Sequence, residues 1–253
     1  MLLKDQVIVV TGGSEGIGWE CSQAYAKAGA KVVILARSND KIKTAVDAIG
    51  PDHHGIACDV SNENDVSASM QSIMAKYGRI NAIHNNAGIG SPAKPLHETS
   101  LDEWQNLMNI NLKSIYLTTR YGFEFLKQSK GCILNTSSLV GVMGQADHAA
   151  YTGTKGGVNT LTKSMALDYA PYGIRVNAVC PAGTWTPMLR KWCSEQENAA
   201  SIEQYLDDIH PLGNCPEGDV IADPCVFLLS KMARFITGHI LHVGGGAEIG
   251  YRR

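Results

Sequence analysis

The sequence predicts an α/β protein with a single doubly wound parallel sheet of about seven strands and helices on both faces. Three observations carry this. Short β-branched runs alternate with longer helix-period stretches along the whole chain, the pattern of repeated strand–helix–strand units. A glycine-rich turn, Thr11-Gly12-Gly13-Ser14-Glu15-Gly16-Ile17-Gly18, joins the first strand to the first helix. The 253 residues, 44% of them hydrophobic, are enough for one large domain over 1–253 with a well-buried core.

The elements follow in order. Val7 to Val10 is the first strand, and a helix pattern starts at Trp19 after the glycine turn. Strand, glycine loop and helix together are the context of a Rossmann-type dinucleotide site. Gly12 permits the tight turn, Gly16 lets backbone approach a pyrophosphate, and Gly18 lets the helix pack close to the strand. The helix start then offers unpaired N–H groups to phosphate, with Ser14, Glu15 and Ile17 around it. The competing reading is a glycine turn without a ligand.

Lys31 to Leu35 is the second strand. An NAD site places Asp or Glu at its end, but Ala36 and Arg37 stand there. A missing carboxylate beside a guanidinium suits a 2′-phosphate, so the expected coenzyme is NADP, with NAD as the alternative. Arg37 as a solvated charge is the competing reading, and Glu15 would repel that phosphate unless it turns away. Ile56 to Val60 reads as the third strand, ending in Asp59, which serves either as an adenine acceptor or as a helix N-cap in competition with Ser61. Ala82 to His84 is the fourth strand and runs into Asn85-Asn86-Ala87-Gly88, where Gly88 allows close cofactor approach. From Ser100 a long helical pattern carries Trp104, Leu107, Ile110, Leu112 and Tyr116. Asn111 inside it needs a reason, because Asn is a weak helix former.

Cys132 to Leu134 is the fifth strand and leads to Ser138. A helix from Ala149 to about Tyr169 follows, with Gly153, Gly156 and Gly157 expected to mark close packing. Ile174 to Val179 is the sixth strand, ending in Pro181-Ala182-Gly183-Thr184-Trp185-Thr186-Pro187. Residues 184–215 read as a substrate lid, with a packed surface excursion as the alternative. A helix from Asp219 to Ser230 and a seventh strand, Ile240 to Val243, complete the sheet.

A net charge of −2 gives no reason to expect a nucleic-acid partner or an anionic membrane surface. No apolar run approaches the ~20 residues of a membrane span, and the N-terminus lacks a signal-peptide core. Seven cysteines, none in Cys-x-x-Cys, suggest reduced core residues of a cytoplasmic protein. The eight histidines show no metal spacing, so no metal is expected.

Tyr151 and Lys155 are the chemical centre of the chain. At i, i+4 on a helix they share a face. Free tyrosine titrates near pH ~10, and lowering its pKa by roughly 3 takes about 4 kcal/mol, which a lysine and a cationic nicotinamide together can supply. Ser138 falls at the carboxyl end of its strand, where ligands bind in open α/β sheets. Alone, Tyr-x-x-x-Lys also describes an ordinary amphipathic helix face.

Taken together, Thr11-Gly12-x-x-x-Gly16-x-Gly18, Asn85-Asn86-Ala87-Gly88, Asn111, Ser138, Tyr151-x-x-x-Lys155, Asn177, Pro181-x-x-x-x-Thr186 and Thr237-Gly238 resemble the short-chain dehydrogenase/reductase family over the full length. The resemblance implies that Tyr151 is the general acid/base and that Ser138 orients the carbonyl. Lys155 would acidify the tyrosine and hold the nicotinamide ribose, and Asn111 would anchor a water in the proton relay. It further implies dinucleotide contacts from Gly12, Ser14, Glu15, Gly16, Ile17, Gly18, Arg37, Asp59, Val60, Asn86, Ala87, Gly88, Tyr151, Lys155, Pro181, Thr184 and Thr186. A homotetramer is implied as well, packed through the helices after strands four and five.

Trp185-Thr186-Pro187 and Gly245 to Tyr251 resemble a branch that includes L-fucose dehydrogenases and a hydroxysteroid dehydrogenase. That resemblance makes Gln145 a substrate-side residue; His148 and Trp185 are further substrate-side candidates, and Tyr251 is expected to reach a neighbouring subunit's site. Ala182 in place of glycine, Gly244 in place of Asp, Ile89-Gly90 in place of histidines, and Ala36-Arg37 depart from the pattern. The expected reaction is hydride transfer between nicotinamide and a small-molecule secondary alcohol or ketone, with a sugar or polyol as substrate. Gln145, Asp147, His148, Trp185 and Glu248 are candidate hydroxyl partners. The alternatives are a 3-oxoacyl or steroid ketone reductase, and a dinucleotide-binding regulator without turnover.

Overall fold

The computed structural model describes residues 1–196 and 198–250. Among them, seven strands form one all-parallel sheet: β1 (Val7–Thr11), β2 (Lys31–Ala36), β3 (His54–Ala57), β4 (Ala82–Asn85), β5 (Cys132–Thr136), β6 (Arg175–Pro181) and β7 (Ile240–Val243). Their order across the sheet is β3-β2-β1-β4-β5-β6-β7, so the winding reverses between β1 and β4. In register, Ile8, Val9 and Val10 face Ala82, Ile83 and His84. A crevice opens at the carboxyl ends of the strands at such a reversal.

The helices α1 (Gly16–Lys27), α2 (Asn39–Ile49), α3 (Glu63–Tyr77), α4 (Leu101–Met108), α5 (Ser114–Ser129), α6 (Ala149–Tyr169), α7 (Pro187–Ser194), α8 (Ala199–Asp208) and α9 (Asp219–Leu229) complete the frame. Alternation along each strand builds two cores. Ile8, Val10, Val32, Ile34 and Leu134 bury against α1 and α9. Val7, Val9, Val33, Leu35 and Ile133 bury against α3, α5 and α6. Both faces are covered, and the strands are apolar at successive positions for that reason.

Four expectations are corrected. The third strand is His54–Ala57, and Asp59 and Val60 lie beyond it. The long helix from Ser100 is broken by one π turn, Asn109–Lys113, which separates α4 from α5. The cap of α3 is neither Asp59 nor Ser61. Asn62 accepts from the N–H groups of Asn64 and Asp65. Of the three glycines in α6, Gly157 sits against Leu112 and Gly156 near the Gly141 carbonyl, whereas Gly153 faces open space. No helix among the described residues is long and apolar enough to cross a membrane.

Candidate active site

The loops after β1, β4, β5 and β6 converge at the crevice. Gly12 (φ 63°) and Gly16 (φ 56°) take left-handed backbone that L side chains rarely adopt. Gly18 is needed for space, since a Cβ there would lie 2.2 Å from the Gly12 carbonyl oxygen and 2.4 Å from Asn86 Nδ2. Asn86 and the loop are bound together: its Nδ2 donates to the Thr11 carbonyl at 3.1 Å, and the N–H groups of Asn86 and Ala87 both donate to Thr11 Oγ1 at 3.0 Å. Glu15 begins α1 without capping it, so the first-turn N–H groups face the crevice. Its carboxylate turns to Lys41 Nζ instead, 2.6 Å away. Thr186 caps α7 and rests against Gly16, its Cβ 3.5 Å from where a Gly16 Cβ would stand. This cradle fits a dinucleotide: glycines where backbone must come close, and an uncapped helix start for phosphate.

The catalytic candidates meet at the far side of the crevice. The Ser138 hydroxyl stands close enough to the Tyr151 phenol to favour its ionised form. Lys155 Nζ lies 5.8 Å from the Tyr151 ring centre and donates to the Thr136 carbonyl at 2.8 Å. A Cβ on Gly88 would stand 3.6 Å from that ammonium and 3.3 Å from Asn111 Oδ1. Burial dominates the electrostatics here. It pushes Tyr151 up to about 12, against the opposing pull of the nearby Ser138 hydroxyl, and brings Lys155 down to about 8. Burial therefore keeps the phenol protonated in this arrangement.

Three hydrogen bonds hold the Asn111 side chain. Its Oδ1 accepts from Ile89 N–H at 2.9 Å, and its Nδ2 donates to the Ile89 carbonyl at 3.0 Å and to Thr154 Oγ1 at 3.1 Å. The side-chain amide is committed to joining the π turn, the loop after β4 and α6. A π turn carries one residue more than the α-helix around it, and that surplus aims Asn111 inward.

A family model described as enoyl-(acyl carrier protein) reductase matches residues 12–248. The chain is a short-chain dehydrogenase/reductase. It is 36% identical over 248 residues to the L-fucose dehydrogenase of Bos taurus, covering 98% of this chain and 91% of that one. It is also 36% identical to a 2,5-dichloro-2,5-cyclohexadiene-1,4-diol dehydrogenase of Sphingobium indicum, covering 96% and 97% of the two chains. The crystal structure of a 3-ketoacyl-(acyl-carrier-protein) reductase from Brucella melitensis complexed with NADH superposes with a TM-score of 0.89 at 31% identity, covering 97% and 99%. As a short-chain dehydrogenase/reductase, this chain is a nicotinamide-dependent oxidoreductase acting on CH–OH groups.

Other expected contacts in this short-chain dehydrogenase/reductase fall into place unevenly. Ser14 stands on the loop and Ile17 packs on the α1 core. Arg37 is exposed at the end of β2. Burial alone would raise the Asp59 carboxyl, but the N–H and hydroxyl of Ser61 donate to it, and with the nearby Arg37 charge they hold it low. Val60 is buried in the second core. Pro181 ends β6, and the buried Thr184 donates to the Ala182 carbonyl.

On the substrate side, His148 is buried, its Nδ1 bonded to the Ala146 carbonyl at 2.8 Å and its ring edge-on to Trp192. Gln145 is exposed on the same loop. Trp185 packs into a separate small core of 184–215 with Cys193, Leu206 and Cys215, and Arg190 stacks over its ring at 4.9 Å. Tyr251 lies outside the described residues.

Sequence reasoning missed Lys41, Thr136 and the pairing of Ala182 with Gly244. A Cβ on Gly244 would stand 3.0 Å from the Ala182 methyl, so the glycine makes room for the alanine. The two departures from the family pattern thus lie against each other. Glu248 stands beside them with Oε2 buried and without a hydrogen-bond partner among the described residues. Burial and this carboxylate push the neighbouring Cys180 thiol up to about 12, leaving it unreactive.

Proposed function

We propose that the enzyme is an NADP-linked dehydrogenase of a sugar or polyol, with Ser138, Tyr151 and Lys155 as the catalytic set. The observation that carries the chemistry is the meeting of three groups: the Lys155 ammonium, fixed on the Thr136 carbonyl, lies 5.8 Å from the Tyr151 ring centre, and the Ser138 hydroxyl stands beside that phenol. The bound nicotinamide supplies or accepts the hydride. Ser138 holds the substrate oxygen, and Tyr151 gives that oxygen its proton in reduction. In oxidation Tyr151 takes the hydroxyl proton, and positive charge must first bring the phenol down from about 12. Lys155 supplies part of that charge and holds the ribose. Asn111 positions this set by joining the Ile89 backbone to Thr154. Positioned acid–base groups contribute ~10² to 10⁴-fold, so Tyr151→Phe lowers turnover by at least about a hundredfold. Retention of most activity refutes the assignment.

Four features support the remaining parts of the proposal. For NADP over NAD, Glu15 is neutralised by Lys41, which leaves Arg37 to meet a 2′-phosphate. For a hydroxyl-rich substrate, the unpaired Glu248 oxygen and the second ring nitrogen of His148 offer polar partners on a side roofed by the 184–215 lid. For a homotetramer, the outer faces of α5 and α6 form an apolar groove of Tyr116, Phe123, Leu161, Met165 and Tyr169, suited to a second copy. The buried thiols, none of them in a disulfide, fit a reducing cytoplasm.

The test is a panel of aldoses, polyols, steroids and acyl ketones assayed with both coenzymes. The expected result is the highest kcat/KM for a sugar or polyol with NADP. Preference for a steroid or 3-oxoacyl ketone refutes the substrate class, and preference for NAD refutes the coenzyme. NADPH binding without turnover of any compound favours the regulator reading.

A further inference from the structure

On the sheet face covered by α1 and α9, four side chains with metal-binding chemistry meet in the core. Cys21 comes from α1, His84 from β4 and Cys225 from α9, each 0% exposed. One ligand atom from each lies within 4.8 Å of the others. Tyr25, one turn after Cys21, places its hydroxyl 2.9 Å from His84 Nδ1. Positions 21, 84 and 225 have no motif spacing, so only the fold reveals the group.

The tautomer of His84 follows from its neighbours. The Thr136 hydroxyl donates to Asn86 Oδ1 at 3.4 Å, so at 2.9 Å it accepts from His84 Nε2–H. Nδ1 is then the unprotonated nitrogen, and it is the one on the side of Tyr25. Metal-binding histidines are held this way, with one nitrogen ligating and the other donating its N–H to a fixed acceptor. Hydrophobic packing between two helices and a sheet has no need of two thiols, an imidazole and a phenol at one point.

Charge selects the ion. Two thiolates and a neutral imidazole carry −2, and a divalent cation brings that to zero, as a site without solvent requires. A monovalent copper ion would leave a buried negative charge, and hard divalent ions take oxygen ligands. We propose that Cys21, His84 and Cys225 bind a structural Zn²⁺, with the Tyr25 hydroxyl completing the tetrahedron. Two thiol protons leave to solvent as two S–Zn bonds, one N–Zn bond and one O–Zn bond replace the ion's water ligands; the hydrogen bond between Tyr25 and His84 is given up, and nothing is oxidised or reduced. Tyr25 keeps its proton. Full burial means that the ion enters as the chain folds. The site fastens α1 and α9 to β4, and through Thr136 it supports Asn86 and the Lys155 ammonium.

The test measures metal, not turnover. Protein from zinc-supplemented medium is passed over a chelating resin, then unfolded in guanidinium with a metallochromic indicator. Elemental analysis runs in parallel. About one zinc per chain is expected. Cys21→Ser/Cys225→Ser and the packing-preserving Cys21→Ala/Cys225→Val retain less than about a tenth of it. Wild-type protein refolded with Co²⁺ shows thiolate charge-transfer and tetrahedral d–d absorption. The proposal is overturned by wild-type protein releasing less than about a tenth of an equivalent, by unchanged zinc in a folded double variant, or by a Cys21–Cys225 disulfide in alkylated peptides. If both double variants fail to fold, the wild-type stoichiometry and cobalt spectrum decide the matter.

Discussion

Lys155 is an ammonium held in the core, and its replacement by methionine exposes what that costs. Lysine normally titrates near 10.5, and burial brings Lys155 down to about 8. Between those values the unfolded chain holds a proton that the folded chain has released, so stability rises with pH across the window. Below about 8 both states are protonated and the desolvation penalty is fully present. Relative to Lys155→Met, the wild-type protein should gain about 2 to 3 kcal/mol of unfolding free energy between pH 7 and pH 10.

The variant also leaves the Thr136 carbonyl without its donor, a cost of about 1 to 3 kcal/mol. That cost does not depend on pH and cannot mimic the slope. Tyr151, held up at about 12, keeps its native-state proton throughout, and its unfolded titration is common to both chains. The assay is urea denaturation of both proteins at pH 7, 8, 9 and 10. Parallel curves would show that the lysine proton is as tightly held in the folded protein as in the unfolded chain, and would refute burial as the dominant influence.

Other outcomes are specific to single contacts. Gly18→Ala puts a methyl 2.2 Å from the Gly12 carbonyl and should weaken coenzyme binding by at least about tenfold, read by fluorescence titration. Arg37→Ala with Lys41→Ala should lower the NADP-to-NAD ratio of kcat/KM by about tenfold or more, while leaving NAD kinetics near wild type. Gly244→Asp should destabilise by about 1 to 3 kcal/mol through crowding of the Ala182 methyl and Glu248. Ala182→Gly in the same chain should restore part of that loss, measured by denaturant midpoint.

Much of this molecule is legible from local pattern. The bounds of α6 and β7 follow from periodicity and from the Gly and Pro residues beside them, and the glycine loop announces itself by spacing. The third strand is harder to place. Cys58 and Val60 extend the apolar run that begins at Ile56, whereas a polar His54 and the glycine after it resemble loop. In the sheet, His54 and Gly55 nonetheless pair with Val33 and Ile34, because the backbone of β2 needs partners along its length. Other features depend on residues far apart in sequence. Lys41 finds Glu15 across two elements, Gly244 after β7 yields to Ala182 after β6, and His84 reaches Cys225 across the whole domain. No window along the chain contains such pairs.

The π turn at Asn109–Lys113 has one more implication. Each α-helical residue advances by about 100°, so one surplus residue rotates everything downstream by that angle relative to an unbroken helix. Residues 101–129 look like a single amphipathic rod, yet they are two rods set out of phase. Deleting one amino acid within the turn would therefore re-aim α5 more than shorten it, turning Ile115, Leu117 and Leu126 off the sheet while α4 stayed in place.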